Sequence, residues 1–290
     1  MDLLEKFHRD SLRHTQSLPQ RTAKVAINLL IGALPIEGEI HKRQLSLLYL
    51  LVSANNSKIQ ELLQRQPSVN FDNPKSFFYY VMKTLQQYEL PKISELQTNT
   101  PTKPVWKKLV NRKISAYWDR ILKLEAESKT SLKYLEINDL GISIPHNIYR
   151  TVQPTVLDVR KCHIKSRMLT RTYTLQADRH KFSRYEIEPT CPLCGQEPED
   201  LPHMLTTCLL LNDARKETFL PIKIMVINKI GARKWKEIFT DRNKLTLLIL
   251  DCTNYSDLFR NPKDLMDIEI LSRNMCFYRL HNVRLKLISS

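Results

Sequence analysis

Three of the chain's six cysteines and one of its eight histidines fall within one short stretch, CPLCGQEPEDLPHMLTTC, from Cys191 to Cys208. The spacing is C-x2-C-x8-H-x4-C. Two cysteines separated by two residues converge on one ion without strain, and Gly195 directly after them suits the tight turn. If Asp200 caps a short helix with Pro202 in its first turn, His203 and Cys208 lie one to two turns apart and face the same point. Cys191, Cys194, His203 and Cys208 are therefore expected to close a tetrahedral site around Zn2+, whose preferred donors include thiolate and imidazole. Four protein ligands leave no open coordination position, so the ion is expected to be structural. Two blander readings exist, buried thiols without metal and a Cys191/Cys194 redox pair. The redox reading lacks the βαβ context it needs, and neither reading uses His203 and Cys208. The other thiols, Cys162, Cys252 and Cys276, fall in helical patterns and are expected in the core.

The rest of the chain reads as mostly α. Glycine is scarce, at 5 of 290 residues, and the abundant Leu, Ile, Lys, Glu and Arg are residues that helices use. The expected architecture is a helical bundle, then a small Cys3His module, then C-terminal helices. The opening MDLLEKFHRD carries acids and no apolar h-region, which argues against a signal peptide. The longest apolar run, Val25 to Ile36, is about a dozen residues where a membrane span needs about 20. No membrane association is expected, and an intracellular location, nucleus or cytoplasm, fits thiols kept reduced. Lys plus Arg number 45 against 30 Asp plus Glu, a formal net charge of +15, which favours RNA or DNA as partners.

Apolar residues at three- and four-residue spacing predict helices over 2–16, 20–33 and 37–53. Asn73 and Pro74 read as N-cap and first residue of another, with Phe78, Val81 and Leu85 inward. Gln97 to Pro104 reads as a linker, and Val105 to Glu127 as a long basic helix with Val110, Ile114, Trp118 and Ile121 on one face. Residues 132–150 are irregular. Further helices are expected from Pro154 to about Thr174, then over 212–219, 222–239, 242–252 and 263–288.

Before the cysteine cluster, Val159 to Tyr185 holds eight Lys or Arg against one acid, Asp178. On a helix Arg160, His163, Arg167 and Arg171 form one stripe and Lys161 and Lys165 another, with Leu157, Ile164 and Met168 as an apolar seam between them. Arg160, Lys161, Lys165, Arg167 and Arg171 are the candidate phosphate contacts; an ordinary solvated amphipathic helix is the competing reading. A second basic stretch, Lys103 to Arg120, interleaves Trp106, Tyr117 and Trp118 with six cations. Core placement is favoured over base stacking for these aromatics.

The run LTRTYTLQADRHKF leading into PTCPLCGQEPEDLPHMLTTC resembles the C-terminal zinc-binding region of reverse transcriptases of non-LTR, LINE-type retrotransposons. Residues Leu12 to Leu48, with LPQRTAKVAINLLIGALPIE at their centre, resemble the helical thumb or connection segment of those proteins. IEILSRNMCFYRLHNVRLKL resembles their last helix. The resemblance implies a thumb-like or connection region over 1–96, a linker and long basic helix over 97–150, a basic helix with the zinc module over 151–215, and C-terminal helices over 216–290. It implies zinc on Cys191, Cys194, His203 and Cys208, and RNA or DNA beside it. Arg171 stands where such sequences often have Gly, Met204 where an aromatic is usual, and Leu209 where Pro is common. Polymerisation in this family needs an Asp-Asp pair, and the sequence contains none. The expected function is thus a non-catalytic nucleic-acid-binding portion of such an enzyme, with the catalytic part as a possible partner. A zinc-stabilised protein-interaction module and an inactive genomic remnant are the alternatives.

Overall fold

Capping side chains and prolines cut the sequence into helices at definite places. The computed structural model describes residues 2–289. Its α-helices are α1 (Asp2–Thr15), α2 (Lys24–Ile31), α3 (Ile36–Val52), α4 (Ser57–Val69), α5 (Phe77–Gln87), α6 (Ile93–Thr98), α7 (Lys103–Glu127), α8 (Asn147–Arg150), α9 (Val156–Leu169), α10 (Gln176–Phe182), α11 (Asn212–Ile230), α12 (Ala232–Phe239), α13 (Arg242–Leu250), α14 (Pro262–Asn274) and α15 (Asn282–Ser289). Among the described residues there is no strand, only the isolated bridges Gly141–Ile144 and Thr190–Pro198. The chain is mostly α, as expected. No described helix is long and apolar enough to cross a membrane.

Asn56 starts α4 by accepting the Lys58 and Ile59 amides at 3.0 and 3.2 Å, and Asp241 and Asn261 do the same work for α13 and α14. Such caps satisfy amides that have no partner within the helix. Several expected boundaries move. Asn73 does not cap α5; it accepts the Lys75 amide in a turn, and Ser76 is the cap four residues before Tyr80. The expected linker at 97–104 shrinks, because α6 runs to Thr98 and α7 starts at Lys103. Pro221 does not interrupt α11: it lies on the solvent side while Ile222 and Val226 are buried, and the break comes at Gly231, with φ +86°. The expected helix 263–288 is divided by a π-helical stretch, Met275–His281, between α14 and α15.

Buried apolar side chains from Leu18 to Leu280 form one connected cluster. In the N-terminal part α3 and α7 run antiparallel. Trp106 Nε1 donates to the Leu45 carbonyl at 3.1 Å, Tyr49 OH donates to the Pro101 carbonyl, and Gly38 leaves room for Trp118, since a Cβ there would stand 2.8 Å from its Nε1. Trp118 in turn donates to Tyr88 OH at 3.0 Å. Trp106 and Trp118 are thus core residues, and Tyr117 packs edge-on against Tyr88. Gly32, at φ +65°, ends α2 where the loop after α7 crosses it; a Cβ would stand 2.7 Å from the Ile144 amide nitrogen.

The C-terminal part is joined differently. Lys165 on α9 donates to Glu269 and Ser272 on α14, both at 2.7 Å, with no exposure of the Lys165 or Glu269 side chains. Arg273 donates to the Ile148 and Thr151 carbonyls, the Thr151 hydroxyl and Asp158. His146 accepts the Ile148 amide at Nδ1, which leaves its ring proton on Nε2, 3.2 Å from Asp251 Oδ1. Cys162, Cys252 and Cys276 are buried, as expected.

Candidate metal centre

Local chain geometry builds the first half of the site. Gly195 adopts φ +63°, its amide donates to the Cys191 carbonyl at 2.9 Å, and the Cys191 amide donates to the Glu197 carbonyl at 2.8 Å. This closes the loop that turns Cys191 and Cys194 toward one point. The second half is the short helical turn starting at Leu201. Asp200 Oδ1 accepts the His203 amide at 2.8 Å, so the expected cap is present, with Pro202 in the first turn. The last residues, His203–Thr207, are π-helical, and the Cys208 amide reaches back to the His203 carbonyl at 2.9 Å.

The Cys191, Cys194 and Cys208 Sγ atoms and a ring nitrogen of His203 all lie within 4.8 Å of one another and can hold a metal ion. Cys191 Sγ and Cys208 Sγ are 4.0 Å apart, and Cys194 Sγ is 3.3 Å from His203 Nε2. A tetrahedral ion with metal–sulfur bonds of about 2.3 Å has sulfur–sulfur edges of about 3.8 Å, so the four donors fit such an ion. Burial pushes the Cys191 thiol up and the Cys208 thiol to about 12. Cys194 is pulled below the ordinary thiol value against the effect of burial, by hydrogen bonds from backbone amides and neighbouring thiols. Three sulfurs this close can all ionise only when a cation shares their charge.

A second layer orients the histidine. His203 Nδ1 lies 3.1 Å from Thr207 Oγ1 and 3.3 Å from Glu197 Oε2, leaving Nε2 for the ion. Glu197 accepts from Arg242 of α13 at 2.7 Å, a bond that holds its carboxyl below the usual range. A carboxylate behind a ligating imidazole fixes its tautomer and raises its basicity. Buried Arg215 donates to the Leu205 and Cys208 carbonyls at 3.0 and 2.8 Å, closing the end of the turn. Glu199, fully inside, takes two bonds from Arg284 of α15 at 2.6 and 2.8 Å and one from the Gln176 amide, so the module is tied to both α10 and α15.

The five candidate phosphate contacts do not share a surface. Arg160 is exposed on α9. Lys161 is half-buried and donates to Asn274 Oδ1 at 2.7 Å; Arg167, also half-buried, donates through Nε to the Ser17 carbonyl at 2.8 Å. Lys165 is a correction: its ammonium is sealed in the Glu269 pair and cannot meet phosphate. The expected seam holds in part: Met168 is buried and Ile164 packs against the core, but Leu157 does not. The face of α9 that turns inward carries Cys162, Lys165, Ser166, Met168 and Leu169, while Leu157 stays 47% exposed. The helix also ends at Leu169, earlier than expected, and Arg171 follows with φ +53°, donating to the Thr130 carbonyl at 3.3 Å.

Sequence reasoning missed Lys133 and Lys181. Both are exposed, and both act electrostatically with Arg171 beside the metal loop: burial, then Arg171, lower the Lys133 pKa, Lys181 adds to this, and Asp200 opposes it. Arg171 and Lys181 belong to the basic run between Val159 and Tyr185, but Lys133 lies 38 residues before Arg171, so no local spacing announced that it acts with them. Comparison with protein-family models, curated proteins and solved structures gives no match.

Proposed function

We propose that the chain is a nucleic-acid-binding segment without catalytic chemistry of its own, held in shape by a structural Zn2+ and belonging to the C-terminal part of a non-LTR retrotransposon reverse transcriptase. The observation that carries the binding role is Arg171, which donates to the Thr130 carbonyl at 3.3 Å, with exposed Lys133 and Lys181 close enough for their charges to act on one another. Like charges gathered at a surface are relieved by a polyanion, and the formal net charge of +15 acts in the same direction. Arg160 and Arg171 remain as phosphate contacts from the basic segment, with Lys133 and Lys181 added. The donor set of three thiolates and an imidazole is that of structural zinc, and it leaves no position for substrate. The parentage rests on the resemblance of the sequence alone.

Elemental analysis of the purified chain should give one zinc per molecule. Fluorescence anisotropy with labelled RNA should show affinity falling steeply between about 50 and 200 mM salt. Replacing Lys133 and Lys181 together by Glu should weaken binding and flatten that dependence. RNA binding with no salt slope, or equal binding by the charge-reversed protein, would leave a protein-interaction module as the better reading.

A further inference from the structure

Away from the metal module, α3 and α7 leave a groove of about 290 Å3 between them. It is lined at helical spacing from both sides, and its rim carries Lys42 and Arg43 of α3 opposite Lys103 and Lys107 of α7. No carboxylate lines it. Lys42 pairs with Glu39 one turn away, at 3.5 Å, whereas Arg43, Lys103 and Lys107 are exposed and form no ion pair among the described residues. The floor is apolar: Trp106 is buried and stacks on Tyr49 at 6.4 Å between ring centroids, and Leu50, 56% exposed, forms a greasy step at the edge.

We infer that this groove is a second polyanion site, one that takes a single strand of nucleic acid. Three unpaired cations on two facing helices complement a line of phosphates. Lys103 and Lys107 are one turn apart, about 6 Å along the axis, a separation comparable to that of neighbouring phosphates in an extended strand. The apolar floor suits the flat face or edge of a base, which every nucleotide offers irrespective of sequence. A furrow of about 290 Å3 takes the backbone and splayed base of one strand, whereas the bases of a duplex have their faces covered in the stack and cannot lie on its apolar floor. The groove lies near the start of α7 and the Lys133 cluster just past its end. The two sites are therefore about 30 Å apart along the helix, far enough for one strand to touch both. The inference rests on the nucleic-acid-binding reading above and adds both a place and a strand preference.

The test uses the full zinc-loaded chain and anisotropy titrations with labelled oligo(dT), a matching duplex, and polyglutamate as a competing polyanion. Arg43→Glu with Lys107→Glu should lower oligo(dT) affinity about tenfold and reduce the salt slope by about 0.7 per lost phosphate contact, with duplex binding little changed. Arg43→Lys with Lys107→Arg, which keeps the charge, should bind as wild type does. Both residues are exposed, so the fold is not at stake. Wild-type affinity and slope in the charge-reversed protein overturn the groove; if Lys133→Glu with Lys181→Glu still weakens binding, the broader function survives that failure. Equal losses for strand and duplex overturn the strand preference. Failure of the wild type to bind any nucleic acid, with polyglutamate binding retained, overturns both readings.

Discussion

Up to residue 127 the buried polar side chains are Gln16, Thr22, Asn28 and Thr84, and no Asp, Glu, Lys or Arg of the described residues is buried. Beyond it, Lys165, Glu199, Arg215, Asp251, Asp264, Glu269, Arg273 and Arg284 are buried, with His146 and His203. The first region packs leucine and isoleucine faces anchored by two tryptophan hydrogen bonds. The second is fastened by buried ions held by specific partners, and by the Cys3His group. An apolar face can settle against many others, so its register depends on shape. A buried ion pair adds little net stability over an apolar replacement, yet it penalises every arrangement that separates the two charges. The two regions are therefore specified by different means, although they share one apolar cluster.

Metal removal should separate the regions most strongly. Cys208→Ser, or a strong chelator, should cost about 10 kcal/mol of the module's folding free energy. Amide hydrogen exchange should then lose protection across 190–211 and keep it in α3 and α7; equal loss in both regions would mean that the metal holds the whole fold. Next comes the buried pair. Lys165→Met leaves Glu269 uncompensated and should cost about 3–5 kcal/mol, while Lys165→Met with Glu269→Leu should recover most of it. Urea titrations of the single and double variants decide the matter, and an unrecovered double variant would mean that the pair supplies stability rather than register. In the first region Leu48→Ala should cost about 3 kcal/mol, but Leu48→Met less than about 1.5 kcal/mol, because only shape is asked of that position.

Acid should act on the second region alone. Burial works against ionised Asp251, but His146, the Thr253 hydroxyl and the Glu136 amide hold its carboxyl below the ordinary value. A depressed folded pKa stabilises above the unfolded value of about 3.9 and is lost as pH falls through the folded one. Thermal scans below about pH 4 should therefore show a steeper loss in wild type than in Asp251→Asn. The smallest expected effect is a gain. Arg171 occupies a left-handed conformation that glycine adopts freely, so Arg171→Gly should raise stability by about 1 kcal/mol or less while weakening RNA binding. A fall in melting temperature would show that its bond to Thr130 outweighs the strain.

Legibility in the sequence follows the range of the interaction. The Cys3His group could be read because its four residues lie in one short stretch whose turn and cap are encoded beside them. Trp106, Val110 and Ile114 could be read because burial repeats along α7 itself. Glu197 and Arg242 stand 45 residues apart, and nothing in either neighbourhood announces the other. Lys165 is the sharpest case. A lysine in a basic run looks like surface until its glutamate is found 104 residues away, and the rotation of α9 was misjudged with it. The π-helical stretch at 275–281 escaped for a related reason: the apolar rhythm continues through it while the backbone widens.

The partners of the buried ions are separated by 104 residues for Lys165 and Glu269, 115 for Asp158 and Arg273, and 85 for Glu199 and Arg284. During translation the first member of each pair leaves the ribosome long before its counter-charge has been made. Until then each is better off hydrated than enclosed, so this part of the nascent polypeptide has reason to remain open while the leucine-rich helices ahead of it are already able to collapse.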